Sequence, residues 1–171
     1  MSEAPILLLG GSGQLGWALA PRLALQAPLV APSHAELDLG DAAALRARLD
    51  ALRPQVIVNA AAYTAVDQAE TETALAWRLN AEVPGEIARW AAAHGAWLVH
   101  YSTDYVFDGT GSRPWREDDA PRPVNAYGRS KRAGEAFVLE SGARALILRV
   151  SWLYGLHGAN FLKTMLRLGA S

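Results

Sequence analysis

Short apolar runs recur along the chain, each followed by a longer Ala-, Leu- and Arg-rich stretch, and this alternation predicts the secondary structure. Ile6-Leu7-Leu8-Leu9 is continuously apolar and ends in glycines, which predicts a strand buried on both faces of a parallel sheet. A helix follows over Leu15 to Gln26, then a second strand over Leu29 to Ala31 that Pro32 stops. Asp41 is placed to cap a helix running through Leu52, and Pro54 closes it. Val56-Ile57-Val58 predicts the third strand. A long Ala-rich helical region spans about Asp67 to His94, with a kink or restart at Pro84 and a C-cap at Gly95. Trp97 to Ser102 and Ala145 to Arg149 predict two more buried strands, separated by a helix from Ala126 to Glu140 that Gly142 terminates.

Strands of four to six residues alternating with longer helices imply βαβ units with right-handed crossovers, so the fold class is α/β: a doubly wound parallel sheet with helices on both faces. The one long irregular segment, Asp104 to Val124, carries Gly109, Gly111, Pro114, Pro121 and Pro123 and an acidic patch at 117–119. Segments of this kind in compact domains are usually functional or mobile.

Composition narrows the function classes. The 171 residues are 51% hydrophobic and 19% charged with a formal charge of -1, which fits one ordinary globular domain and offers no basic surface for nucleic acid or an anionic membrane. The absence of cysteine removes disulfides, thiolate metal sites and a Cys nucleophile, and agrees with a cytoplasmic location. Ser2 to Gly10 has too short an apolar core for a signal peptide or membrane span. Lysine occurs only at Lys131 and Lys163, which singles out each.

Gly10, Gly11, Ser12, Gly13, Gln14, Leu15 and Gly16 lie between the first strand and the first helix, where backbone N–H groups and the helix dipole form a pyrophosphate site of Rossmann type. The spacing satisfies both G-x-x-G-x-x-G and G-x-G-x-x-G and does not separate the subclasses. No Lys-Ser/Thr follows, which argues against a nucleotide-hydrolysing P-loop. The second strand closes on Ala31-Pro32-Ser33-His34, so no carboxylate is expected at the ribose position to repel a 2′-phosphate. Asp38 is expected at the adenine edge or as a loop cap.

Tyr127 and Lys131 are four residues apart and share a helix face. A cation near 4 Å could lower a phenol of pKa about 10, making Tyr127 a usable acid, while Lys131 also holds ribose hydroxyls. Thr103 ends the fourth strand at the carboxyl edge of the sheet, where α/β proteins bind ligands, and its hydroxyl would share a ketone oxygen with Tyr127.

These residues resemble the extended short-chain dehydrogenase/reductase superfamily and, more narrowly, its dTDP-4-dehydrorhamnose reductase family. The resemblance is carried by 10–16, by Asn59-Ala60-Ala61-Ala62-Tyr63-Thr64-Ala65-Val66-Asp67, by Ser102-Thr103-Asp104-Tyr105-Val106-Phe107-Asp108-Gly109, by 127–131 with Gly134-Glu135, and by Arg149 to Gly155 with Asn160-Phe161. It implies catalytic roles for Thr103, Tyr127 and Lys131. It implies cofactor contacts from Gly10 to Leu15, Asp38, Leu39, Ala61, Ala62 and Tyr63, and substrate contacts from Thr103, Asp104 and Trp152. It implies NADPH or NADH as hydride source and reduction of the 4-ketone of dTDP-4-dehydro-L-rhamnose to dTDP-L-rhamnose.

Mg²⁺ is associated with the family, yet His34, His94, His100 and His157 are scattered and no metal-ligand spacing occurs. The expected organisation is a dinucleotide-binding domain over 1–150 and the start of a substrate lobe over 151–171, in which Leu162 to Ser171 reads as a helix cut off mid-domain. Two alternatives stay open: a non-catalytic NADP-binding subunit resembling the β subunit of methionine adenosyltransferase, and a nucleotide-sugar epimerase or dehydratase. The oligomeric state stays open too, a homodimer being one outcome.

Overall fold

The computed structural model describes residues 4–170. Five strands, β1 (Ile6–Leu9), β2 (Leu29–Val30), β3 (Val56–Asn59), β4 (Trp97–Thr103) and β5 (Arg144–Val150), form one sheet in the order β2-β1-β3-β4-β5. Every pairing is parallel, with Leu7 opposite Val30 and Ile57, and Thr103 opposite Val150. The chain leaves β1 in one direction and returns past it to β3. Their carboxyl ends therefore diverge, and such a switch point opens a ligand crevice above the sheet.

The helices are α1 (Gln14–Leu23), α2 (Ala42–Leu52), α3 (Thr73–Trp77), α4 (Val83–His94), α5 (Ala126–Glu140) and α6 (Phe161–Gly169). Alternation along the strands sends Leu7, Leu9, Ile57 and Leu98 into a core with Leu45 and Leu49 of α2, Ile87 and Trp90 of α4 and Val138 of α5. Ile6, Leu8 and Val58 point the other way, onto Leu19 and Leu23 of α1. Both faces of the sheet are thus covered, as the continuous apolar runs predict. Asp41 caps α2, its Oδ1 accepting from the N–H groups of Ala43 and Ala44 at 2.9 and 3.0 Å, and Gly95 ends α4 with φ +70°.

The expected helix from Asp67 to His94 is instead four pieces: a 3-10 turn at Gln68–Glu70, α3, a π-helical turn at Arg78–Glu82, and α4. Pro84 is the physical reason. It has no N–H to return to the carbonyl of Asn80 and its ring crowds that carbonyl, so the turn before it widens. The carbonyl then faces α5, where Gly134 lies so close that a Cβ would overlap it.

Beyond β5 the chain turns at Trp152, whose φ of +51° is unusual for an aromatic residue, and α6 leaves Leu162, Met165, Leu166 and Leu168 exposed. No helix among the described residues is long and apolar enough to cross a membrane.

Candidate active site

The glycine loop is shaped by two contacts that allow no side chain. Gly10 adopts φ +77°, and a Cβ there would lie 2.6 Å from Ala61 N, on the far side of the switch point. A Cβ on Gly16, the one buried residue of α1, would overlap the Gly10 carbonyl. The glycines thus bring α1 against β1 and leave its N-terminus open above the crevice, a cradle that fits a pyrophosphate.

Three clefts meet along the carboxyl edge. One, at the β1/β2 end, is lined by Gly10, Ser12, Asp38, Leu39, Ala61 and Ala62. A second runs over the glycine loop past Gly13, Gln14, Leu15 and Ala61 to Tyr127 and Lys131. The third, about 600 Å³, holds Thr103, Asp104, Tyr127, Trp115 and Trp152. The second and third share Gln14, Thr64, Ser102 and Tyr127, so they form one continuous trough. Gly11 and Tyr63 line none of the three. The Tyr63 phenol donates to Glu72 Oε2 at 2.6 Å and its backbone N–H to Asn80 Oδ1 at 2.9 Å, so both its donors are engaged within the protein.

Tyr127 and Lys131 project from the buried face of α5, which Asn125 caps by accepting from Gly128 N at 2.7 Å. Tyr127 packs edge-on against Tyr105 with ring centroids 5.5 Å apart. The expectation that Lys131 depresses the phenol is corrected here. Burial pushes Tyr127 above the ordinary phenol range and the charge of Asp104 adds to this, while a hydrogen bond with Thr103 opposes it. The Lys131 ammonium is engaged elsewhere, donating to Tyr101 O at 2.6 Å. Burial pushes that ammonium down to about 8, against the nearby Glu135 carboxylate. Glu135, also buried, is neutralised by Arg149 through paired bonds of 2.8 Å.

Thr103 is half of a small hydroxyl–carboxylate network. Its Oγ1 donates to Asp104 Oδ1 at 3.2 Å and accepts from Tyr105 N at 3.2 Å, and Ser151 Oγ donates to Asp104 Oδ2 at 2.7 Å. Asp104 therefore ties the end of β4 to the segment after β5, next to Trp152. Behind this network His100 is fully buried, bonded through Nδ1 to Asn59 at 3.2 Å. Burial and the Lys131 charge hold its pKa well below the ordinary imidazole range.

Three features lay outside the sequence expectations. Asn80, on the π-helical turn, is completely buried and clamps the backbone of Tyr63: its Oδ1 accepts from Tyr63 N at 2.9 Å and its Nδ2 donates to Tyr63 O and Ser130 Oγ, both at 3.0 Å. Arg78 donates to the carbonyls of Gly40 and Leu39 while paired with Glu86, holding the loop beside Asp38. Third, a carboxylate does stand beyond β2. Glu36 Oε2 accepts from both Ser33 N and Ser33 Oγ at 2.8 Å, six residues past the end of β2 and outside the lining of the first cleft. Asp38 is a loop cap, accepting from Gly40 N at 2.8 Å, and also lines the first cleft. No group of three or more His, Asp or Glu side chains among the described residues could hold a metal, and no step is assigned to Mg²⁺.

Comparison with known proteins agrees with this fold. The family profile described as RmlD substrate binding domain matches residues 4–171. The chain is 50% identical over 167 residues to a dTDP-4-dehydrorhamnose reductase of Salmonella typhimurium, covering 95% of this chain and 56% of that protein. It is 48% identical over 163 residues to one of Burkholderia thailandensis, covering 95% and 55%. A crystal structure of dTDP-4-dehydrorhamnose reductase from Bacillus anthracis in complex with NADP superposes with a TM-score of 0.93 at 41% identity, over 99% of this chain and 60% of that one. The chain spans a little over half the length of the curated relatives it matches.

Proposed function

Because the chain belongs to the RmlD substrate binding domain family, we propose that it carries the cofactor half and the proton donor of a reductase. The reaction is reduction of the 4-ketone of dTDP-4-dehydro-L-rhamnose to dTDP-L-rhamnose. The supporting observation is the continuous trough that joins the glycine loop to Thr103 and Tyr127.

A reduced nicotinamide, from NADPH or NADH, supplies the hydride when bound. The residues that would hold the dinucleotide are Gly10 to Leu15 at the pyrophosphate, Ala61, Ala62 and Tyr63 at the switch point, and Asp38 and Leu39 at the adenosine end. Lys131, anchored on Tyr101 O, would hold ribose hydroxyls.

Tyr127 gives its Oη proton to the ketone oxygen. A buried phenol with a raised pKa is fully protonated at neutral pH, so the donor is always loaded. It is also a weaker acid, and the Thr103 hydroxyl compensates by donating toward the developing alkoxide. That requires Thr103 to release Asp104, a bond of 3.2 Å that an incoming oxyanion can outcompete. Trp152 and Asp104 would bound the sugar. The partner in this reading is a small nucleotide-sugar and the compartment the cytoplasm, with residues 1–150 forming the dinucleotide-binding domain, to which Thr103 and Asp104 belong, and 151–171 beginning the substrate lobe.

The test is oxidation of NADPH or NADH on addition of dTDP-4-dehydrorhamnose. Tyr127→Phe is expected to lower turnover about 10²–10⁴-fold, as for loss of a general acid, while leaving dinucleotide binding in place. Unchanged turnover in the variant, or no oxidation by the unaltered chain despite bound dinucleotide, overturns the reading.

A further inference from the structure

Lys163, the second of the two lysines, lines none of the three clefts, and its place is explained by the segment between β5 and α6. Its Nζ donates to Leu156 O at 2.8 Å and to Gly158 O at 3.0 Å, the carbonyls on either side of His157. Asn160 closes the same turn. Its Nδ2 donates to Gly155 O at 2.9 Å while its Oδ1 accepts from Lys163 N at 3.0 Å and caps α6. Residues 155–163 therefore form a turn tied from within.

This turn bears on the glycine loop. Of residues 151–160 only His157 and Asn160 are partly buried, and these are the two that touch the loop. His157 Nε2 donates to Ser12 O at 3.0 Å, since a carbonyl can only accept, and its ring stacks on Trp17 of α1 with centroids 5.1 Å apart and planes 8° from parallel. Asn160 Nδ2 also donates to Gln14 Oε1 at 3.1 Å, and Gly158, at φ +73°, comes so near that a Cβ would lie 2.8 Å from Gln14 Cγ. Ser12 O belongs to the peptide unit whose N–H is that of Gly13, and this N–H donates to Gly10 O at 3.1 Å, closing a four-residue turn. The unit is thus held at both ends, and accepting a bond at its carbonyl polarises its N–H for the other. With glycine at 10, 11 and 13 the turn has much conformational freedom to lose. A ligand that has to order such a loop itself binds more weakly than one that finds it ordered.

We propose that His157 is a positioning residue for the dinucleotide: by holding Ser12 O from outside the glycine loop it keeps the Gly10–Gly13 turn closed before any ligand arrives, and Lys163 fastens the turn that carries it. The proposal rests on the dinucleotide-binding reading given above.

The experiment pairs calorimetric titration of the full chain with NADPH and amide hydrogen exchange at Gly13, read by NMR without ligand, for the unaltered chain, His157→Phe, His157→Gln and Lys163→Met. His157→Phe keeps a flat ring on Trp17 and loses the bond to Ser12 O, so its urea midpoint should stay close to that of the parent. NADPH should bind it about threefold to tenfold more weakly, the worth of one hydrogen bond, and the Gly13 amide should exchange faster because its turn opens more often. His157→Gln returns an N–H donor without the ring and should bind NADPH more tightly than the phenylalanine variant. Lys163→Met frees the carbonyls beside His157 and should move both readings in the same direction as His157→Phe. Gly13 exchange that His157→Phe leaves unaltered overturns the proposal whatever the affinity does, because a merely structural turn would not protect that amide. Unaltered affinity in His157→Phe, or a glutamine variant no better than it, overturns the proposal as well, and a silent Lys163→Met overturns the fastening role. Failure of the unaltered chain to bind NADPH is a different result: it removes the dinucleotide reading and the role of His157 in it, while Gly13 exchange still shows whether His157 holds the loop.

Discussion

At the scale of single residues, the site depends on groups whose surroundings leave them little choice. Gly10 is one: φ +77° excludes most side chains, and the space a Cβ would fill is taken by the Ala60–Ala61 backbone. Gly10→Ala is expected to cost about 1–2 kcal/mol for the left-handed backbone and a further 1–3 kcal/mol for overlap with an immovable neighbour. Urea denaturation would show this as a lower midpoint, with dinucleotide binding lost alongside. A variant as stable and as tightly binding as the parent would mean that the two loops are further apart than described. Position 10 was legible in the sequence because a glycine between a strand and a helix carries its own backbone signature. Glu36 was not legible as the partner of Ser33, although the S-x-x-E signature was present: what brings its carboxylate to the Ser33 N–H and hydroxyl is a turn that folds back three residues. The direction of the Tyr127 shift was also hidden, because spacing on a helix places Lys131 nearby but does not show that Tyr101 O captures its ammonium.

At the scale of elements, strands and helix caps followed directly from pattern, while the region between β3 and α4 did not. Periodicity there is helical throughout, and the break comes from Pro84 acting on a carbonyl four residues earlier, which Gly134 then approaches from a different helix. The widened turn brings Asn80 inward. Its side chain links the Tyr63 backbone, 17 residues away, to Ser130, 50 residues away, and Ser130 Oγ donates onward to Tyr127 O at 2.7 Å. Such long separations are invisible to local reasoning. The role this geometry gives Asn80 is positioning: it holds the loop at the switch point and the first turn of α5 in one frame. Asn80→Ala should leave the Tyr63 N–H and carbonyl without their partners, each worth about 1–3 kcal/mol when buried. The expected outcome is a clear fall in thermal stability together with weaker dinucleotide binding. Asn80→Asp, which keeps the acceptor for Tyr63 N but turns a buried carboxylate oxygen toward Tyr63 O, should be at least as destabilised as the alanine variant. An aspartate variant clearly more stable than the alanine variant would show that the bond Asn80 donates to Tyr63 O contributes little.

At the scale of the whole molecule, the parallel order β2-β1-β3-β4-β5 collects every candidate group at one edge, and the core beneath then has to tolerate ionisable residues that belong to that edge. Lys131 and His100 are both nearly inaccessible to solvent, and burial lowers the pKa of both. This sets a pH dependence whose sign can be worked out. Lys131 titrates at about 8 in the folded chain against an ordinary 10.5, so between these values the unfolded chain holds more protons and stability rises with pH. The full difference is on the order of 3 kcal/mol. Above pH 10 the raised phenols of Tyr101 and Tyr127 oppose the gain, because they resist an ionisation that unfolding permits. On the acid side, His100 stays neutral when folded, so stability falls as pH drops through 6.5, where the unfolded imidazole takes up its proton. Urea melts from pH 5.5 to 9.5 should therefore show a plateau between about 6.5 and 8, a loss below it and a gain above it. Lys131→Met should abolish the alkaline gain while keeping the acid loss. A parent curve that stays flat from pH 8 to 9.5 would mean that the Lys131 ammonium reaches solvent, and the close bond to Tyr101 O would then be the contact to revise.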